Sequence, residues 1–453
     1  MVVVLWITEA IPLPVTALLG PTLCVVAGVS GVKDVFKSFA DPIIFLFLGS
    51  FLLAEAMLHH GLNRRIAFYI LGLRGVGESP ARLLVAFGSI TGFISMWVSN
   101  TATTAMMFPI GLAILREMAR RHSERTGQEI DFRALKYGTG LMLMASFASS
   151  VGGLATPVGS PPNLIGIGLI EKTLNLRVTF FQWMSLGLPL AVLLIAFLVF
   201  YLYRLCPAEP GLMTGSTEWL GQEKSKLGPV TRGEKNVLAA FGVTVLLWVV
   251  PGVMALIRGA NDPLYLWIIQ HFPESVAALI GALLLFLLPV NLAESRFTIS
   301  WREAGQIDWG TILLFGGGLA LGDLMFSTGL AQWIGTGLAG AMNANTTLSV
   351  TILFTVVAVL VSETTSNAAS ATMVVPVAIA VAQAAHINPL QPALAACLGA
   401  SLGFMLPVST PPNAIVYGSG CIPLKKMVKY GLLLDLVGAV LVVLVVTWLT
   451  PSL

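Results

Sequence analysis

Charge is the scarcest property of this chain. Only 10% of its 453 residues are Asp, Glu, Lys or Arg, against 56% hydrophobic. That leaves too little polar surface to clothe soluble domains. The formal net charge of +3 gives no basis for a nucleic-acid partner, and the basic residues fall in short segments between apolar ones, where they set membrane orientation. Cysteine is equally sparse. Cys24, Cys206, Cys397 and Cys421 stand singly, with no CxxC or His-partnered spacing, so neither a disulfide framework nor a metal centre is supported and they read as small packing residues. His59, His60, His122, His271 and His386 fall in or beside expected loops and are assigned no role. No charged n-region or small-residue cleavage site surrounds Trp6-Ile7-Thr8-Glu9-Ala10, so no cleaved signal peptide is read there.

Long apolar runs are what the chain does have. Stretches at 184–203, 237–256, 275–292 and 432–449 each approach the roughly 20 residues a helix needs to cross the hydrocarbon core. The chain is therefore expected to be a multi-pass integral membrane protein, in the cytoplasmic membrane if its host is bacterial, with membrane lipid as its solvent.

Compared with itself, the chain repeats once. Phe47-Leu48-Gly49-Ser50 through Met57 to Gly61-Leu62 matches Phe315-Gly316-Gly317-Gly318 through Met325 to Gly329-Leu330, and Glu55 falls on Asp323, an offset of 268. Ser95 and Ser99-Asn100-Thr101, through Pro109, match Ser362 and Ser366-Asn367-Ala368, through Pro376, at 267. Gly159-Ser160-Pro161-Pro162-Asn163 matches Ser409-Thr410-Pro411-Pro412-Asn413 at 250.

Charge orients the halves. The polar stretch 204–235 reads as a cytoplasmic linker between a first half, 1–203, and a second, 236–453. Two basic loops, one with Arg64, Arg65, Arg74 and Arg82 and one from Arg116 to Lys136, both favour the cytoplasm. A straight helix between them would separate them, so about 83–115 is read as a re-entrant hairpin with Ser99-Asn100-Thr101 at its tip. Its counterpart, about 346–385, has no flanking Lys or Arg, since none occurs between Arg302 and Lys425, and enters from outside. Broken helices are expected at about 138–170 and 393–420, because the Pro-Pro pairs cannot continue a helix but suit the start of a new one. The fold class expected is an all-α polytopic membrane protein of two inverted repeats, each with a re-entrant helical hairpin and a broken transmembrane helix. Lys33 and Lys37, placed outside, are a mild violation. The second half opens with the span at 237–256, for which the first offers at most residues 1–6, so the natural start is expected one or two helices upstream.

Broken helices inside a bilayer carry unpaired backbone groups, which are tolerated where they face a cavity. Four helix N-termini converging near the midplane could hold an anion, each contributing up to ~2 kcal/mol in a sheltered geometry. The tips carry no Lys, Arg or His, so amides and hydroxyls must hold it, with hard-oxygen cation sites built from Ser95, Ser99, Asn100, Ser362, Ser366 and Asn367. Glu363, one turn from Ser366, is an ionisable group at membrane depth, a candidate proton carrier or a partner for a hydroxyl; Glu55 and Asp323 read as structural or water-facing. No base lies at His or Lys spacing from Ser99 or Ser366, which argues against an intramembrane enzyme; an ion channel would use similar hairpins around a continuous pore.

Taken as a set, Ser99-Asn100-Thr101, Ser366-Asn367, Gly159-Ser160-Pro161-Pro162-Asn163 and Thr410-Pro411-Pro412-Asn413 resemble the divalent anion/sodium symporter family over nearly the whole chain, and the Trp6–Ala10 stretch resembles the end of that family's second helix. The resemblance implies one Na⁺ held by Ser95, Ser99, Asn100 and the carbonyl of Gly159, and a second by Ser362, Ser366, Asn367 and the carbonyl of Ser409. It implies substrate contacts from Asn100, Thr101, Ser160, Asn367 and Thr410, an elevator-type homodimer, no organic cofactor, and Na⁺-coupled symport of a small divalent anion, with a C4-dicarboxylate such as succinate first. Sulfate, citrate and sodium-independent or proton-coupled exchange stay open. Ala368 departs from the family pattern by lacking the hydroxyl of Thr101.

Overall fold

The computed structural model describes residues 1–127, 129–212, 216–342 and 346–450; residues 213–215 of the expected linker and 451–453 of the second half lie outside them. Among the described residues the chain is helical apart from one antiparallel pair of short strands, Pro289–Asn291 and Arg296–Phe297. Among the described residues, seven helices are long and apolar enough to cross a membrane. The expected spans at 184–203, 237–256 and 432–449 lie within Phe180–Leu205, Arg232–Arg258 and Leu424–Leu449. The first two of these helices open on Thr-x-x-Gln and Thr-x-x-Glu capping boxes, Thr179 with Gln182 and Thr231 with Glu234, which satisfy backbone donors before the chain enters the apolar region.

The span expected at 275–292 is shorter and bent. Pro263–His271 and Glu274–Leu287 meet at 58° across Phe272-Pro273, since a proline cannot continue the helix that precedes it. Leu288 is extended and the strand starts at Pro289, as a residue before proline prefers.

Helices stop and restart around each of the motifs. Pro80–Ser95 stops, Ser99 caps, and Asn100–Thr126 returns; both arms outrun the expected 83–115, which puts His122 inside a helix and not beside a loop. Thr347–Thr364 and Asn367–Ala384 form the second such pair. Lys136–Gly152 and Pro161–Leu174 flank the first break, Leu390–Gly399 and Pro411–Tyr417 the second, so the helix after the second break is half as long.

One helix contact is made twice. Pro42–His59 lies along Glu274–Leu287, where a Cβ on Gly49 would come within 2.6 Å of Ala278. Trp309–Ser327 lies along Leu13–Val26, where a Cβ on Gly317 would come 2.2 Å from the Ala17 carbonyl. Gly49 and Gly317 are repeat equivalents, and Ala17 and Ala278 become equivalents once Trp6 and Pro12 are set on Trp267 and Pro273. Val2–Thr8 is thus the counterpart of Pro263–His271, not of the helix Arg232–Arg258 as its position at the front suggested.

Both basic loops lie against the linker. Arg65 donates to the carbonyls of Leu227 and Gly228 and pairs with Glu234 at 2.5 Å. Arg121 pairs with Glu218 at 3.2 Å, and Arg125 donates to the Gly211 carbonyl. The two ends of the helix pair 80–126 therefore share one face of the molecule.

The hairpin is locked to the first broken helix by backbone approach: a Cβ on Gly152 would sit 2.2 Å from the Gly92 carbonyl oxygen. Overpacking of this kind costs about 1–3 kcal/mol. Gly152→Val is expected to lower the unfolding temperature in detergent, whereas Gly242→Val, with nothing within 4 Å, is expected to leave it unchanged; equal behaviour of the two variants would refute the contact.

Candidate functional site

Both Ser-Asn motifs and both Pro-Pro breaks face one cavity of about 640 Å³. Ser99, Asn100 and Thr101 line it from one hairpin, Ser366, Asn367 and Ala368 from the other, and Ser160, Ser409 and Thr410 from the breaks. Four helices begin at its wall, at Asn100, Pro161, Asn367 and Pro411. No Lys, Arg or His is among the lining residues, so only helix N-termini, amides and hydroxyls offer positive partial charge to an anion there.

The local sequence explains each start. Ser99 and Ser366 are N-caps, accepting from the backbone amides of Ala102 and Ala369 at 3.3 and 3.2 Å. Thr410 caps likewise, accepting from Asn413 N at 3.3 Å, while Ser160 occupies the cap position with no side-chain cap bond. The first helical residues are Asn100 and Asn367 themselves, one earlier than Thr101 and Ala368.

Ser95, Ser362 and Gly159 stand apart from the cavity surface. Ser95 and Ser362 are fully buried behind it, and their hydroxyls donate to Asn100 Oδ1 at 2.7 Å and Asn367 Oδ1 at 2.8 Å. The Ala400 carbonyl lies 2.7 Å from the same Ser362 hydroxyl, whose single proton is shared between the two acceptors. Each half thus has the same Ser-Asn pair, with oxygens clustered beside a broken helix.

Two glycines outside the motifs, and Asn163 and Asn413, which the motifs contain but to which they assign no role, hold these clusters. Gly153 and Gly403 let the broken helix approach: a Cβ on Gly153 would fall 2.4 Å from Asn100 Oδ1, and one on Gly403 3.2 Å from Ser362 Oγ. Asn163 Nδ2 donates to the Gly153 and Thr156 carbonyls at 2.7 and 2.8 Å, and Asn413 Nδ2 to the Gly403 and Leu406 carbonyls at 3.0 Å each. Extending the third repeat block backwards at the same offset of 250 sets Gly153 on Gly403 and Pro157 on Pro407, a signal sufficient to find the glycines. Ser150, whose buried hydroxyl has no hydrogen-bond partner, also lines the cavity.

Glu363 ties the second hairpin to its break. Its carboxyl accepts from Met405 N at 2.8 Å, Leu406 N at 3.2 Å and Ser409 Oγ at 2.6 Å. At the equivalent place in the first half, Thr156 Oγ1 donates to the Met96 carbonyl at 2.5 Å. Glu55 lies in the cavity wall, whereas its repeat equivalent Asp323 is ion-paired with Lys172.

An all-α, multi-pass bundle with helix breaks around a cavity whose lining residues include no fixed cation suits membrane transport of a small anion. The comparisons with known proteins agree. A family model described as the sodium:sulfate symporter transmembrane region matches residues 1–453. The chain is 36% identical over 451 residues to the sodium-dependent dicarboxylate transporter SdcS of Staphylococcus saprophyticus, covering 98% of this chain and 84% of that protein. It is 34% identical over 449 residues to the SdcS of Staphylococcus aureus strain USA300, with the same coverage. Among solved structures, its fold is similar to that of the YdaH transporter of Alcanivorax borkumensis, with a TM-score of 0.58 at 14% identity over 93% of this chain and 88% of that one, and to MtrF of Neisseria gonorrhoeae, at 0.54, 14%, 94% and 84%. The chain belongs to the sodium:sulfate symporter family, the divalent anion/sodium symporters that its motifs resemble. It is a secondary transporter and not an enzyme.

The two glycines differ in how tightly they are held. Gly153→Ala is expected to abolish substrate uptake, because the added methyl displaces the Asn100 amide, whereas Gly403→Ala, with its looser contact, is expected to leave measurable uptake. The opposite ranking in a reconstituted uptake assay would show that Asn100 is not held by Gly153.

Proposed function

We propose that the chain is a sodium-coupled symporter of a C4-dicarboxylate such as succinate. The observation that carries this reading is the pair of matching Ser-Asn clusters, Ser95 with Asn100 and Ser362 with Asn367, set on either side of one cation-free cavity. A dianion there is undercompensated by helix N-termini alone, and Na⁺ entering with it supplies the missing charge. One Na⁺ is assigned to Ser95, Ser99, Asn100 and the Gly159 carbonyl, the other to Ser362, Ser366, Asn367 and the Ser409 carbonyl. The anion is assigned to Asn100, Thr101, Ser160, Asn367 and Thr410. Hydroxyl and amide oxygens without a carboxylate suit a monovalent hard cation.

In this reading the halves, 1–203 and 236–453, are inverted repeats. The helix pairs 80–126 and 347–384 are re-entrant hairpins entering from the cytoplasm and from outside, and the linker is cytoplasmic. The Gly49–Ala278 and Gly317–Ala17 contacts support the symmetry, and the linker's contacts with both ends of the first hairpin support its entry side. Hairpins and broken helices then move together past the remaining helices, in a homodimer, carrying the site from face to face. Each net positive charge moved inward gains about 2.3 kcal/mol per 100 mV. A C4-dicarboxylate is favoured over sulfate by the SdcS relatives, named as sodium-dependent dicarboxylate transporters. Sulfate is the second reading, favoured by Ala368, which removes a hydroxyl from the cavity wall.

Labelled succinate is expected to enter proteoliposomes only down an inward Na⁺ gradient, and Asn100→Ala or Asn367→Ala to abolish that uptake. Equal uptake with choline in place of Na⁺ would reject symport, and full activity of both variants would reject the site. Ala368→Thr is expected to tighten apparent succinate affinity by about 2- to 10-fold, the worth of one hydrogen bond; a change confined to sulfate competition would shift the assignment to sulfate.

A further inference from the structure

The cavity extends toward one face of the molecule, and ion pairs that do not line it lie toward the other. On the linker side it extends to Glu55, Gln306 and Asp308, beyond which the helix Pro42–His59 ends and Arg65 meets the linker. On the far side Lys172, near the end of the helix after the first break, pairs with Asp323 and donates to Ser38 Oγ at 2.6 Å. Ser38 Oγ in turn donates to Asp323 Oδ2 at 3.2 Å. A few residues on, Arg177 pairs with Glu274. The segment between the first break and Phe180–Leu205 is therefore fastened to Trp309–Ser327 and Glu274–Leu287.

The repeat supplies this fastening with an unused counterpart. At the offset of 268, Asp323 corresponds to Glu55 and Ser38 to Gln306, and both of those line the cavity. Lys172 corresponds to Ile422, but the helix after the second break stops at Tyr417, so the next cations are Lys425 and Lys426, in the first turn of Leu424–Leu449. Among the described residues the side chains of Glu55, Gln306 and Lys425 make no hydrogen bond or ion pair. Glu55 has His59 and Glu303 as charged neighbours but no direct partner, and an acid facing an anion's cavity is tolerable where a later state pairs it.

We infer that the two faces are closed alternately by equivalent ion pairs. Lys172, Ser38 and Asp323 hold the far face shut in the state seen here; when the cavity opens there, that pair parts, and Glu55 with Gln306 captures Lys425, or Lys426 beside it, on the linker side. The inference rests on the alternating-access reading above. It departs from a purely structural role for Lys172 and Asp323, under which the pair never separates.

Cysteine pairs distinguish these. In a parent with Cys24, Cys206, Cys397 and Cys421 replaced by Ala, the pairs K172C/D323C, E55C/K425C and E55C/K426C are treated in proteoliposomes with a short bifunctional thiol reagent and mapped by mass spectrometry. Lys172→Cys with Asp323→Cys is expected to link and stop uptake reversibly. Glu55→Cys is expected to link to at least one of the two lysine positions, also stopping uptake. Parental uptake by the linked K172C/D323C protein, or no link at either lysine position in protein where K172C/D323C links, would overturn the inference. Uptake by the unlinked parent separately tests the transport reading, since the links are read on the protein itself. A double-mutant cycle through K172D, D323K and K172D/D323K is expected to show coupling of about tenfold in uptake rate; additive losses would place the pair outside the transport cycle.

Discussion

Two asparagine side chains keep this protein's membrane interior open. A helix interrupted in a low-dielectric region leaves carbonyls without donors, and each such group costs several kcal/mol unless it is met. Asn163 and Asn413 meet them with the same geometry, each amide bridging carbonyls ten and seven residues back. The Pro-Pro pair ahead of each asparagine prevents the break from closing into a continuous helix. With the breaks held, the segments from Gly153 to Ser160 and from Gly403 to Thr410 are free to lie against the hairpin tips, and the cavity is what remains between them.

That cavity works by distribution of partial charge. Four helix starts and a set of hydroxyls and amides face it with no fixed cation among its lining residues. In the proposed reading, a Lys or Arg in the wall would bind a dianion whatever the state of the cation sites, uncoupling the two. In that same reading, weak donors make anion binding depend on the Ser-Asn clusters immediately behind the surface; the glycines at 153 and 403 allow those clusters to form without a side chain intervening.

The halves are alike in design and unlike in detail. Thr101 keeps a hydroxyl where Ala368 has none. The second tip is fastened to its break by the carboxyl of Glu363, with three donors to it, while the first uses a hydroxyl on the Met96 carbonyl. Asp323 is paired and Glu55 is open. The first two differences are of residue type and hold in any conformation; only the third is a difference of contact.

Much of this was legible in the sequence because the signals are local. Apolar length marks a span, Ser before Asn marks a helix start, Pro-Pro marks a break, and a repeat offset links the halves. The caps and breaks depend on residues within a turn or two, and so do Ser95 with Asn100 and Ser362 with Asn367, five residues apart in each case; span length and repeat offset are read along the chain without knowing any tertiary contact. What only the tertiary structure decided was long-range. That Asp323 meets Lys172 while Glu55 lines the cavity, that Glu363 reaches the amides of 405 and 406, and that Leu13–Val26 packs on Trp309–Ser327 are contacts between segments far apart in the chain. Hydropathy carries no information about which apolar face meets which, since lipid and protein interiors are equally apolar; close approach of glycines and the pairing of buried polar groups make that choice.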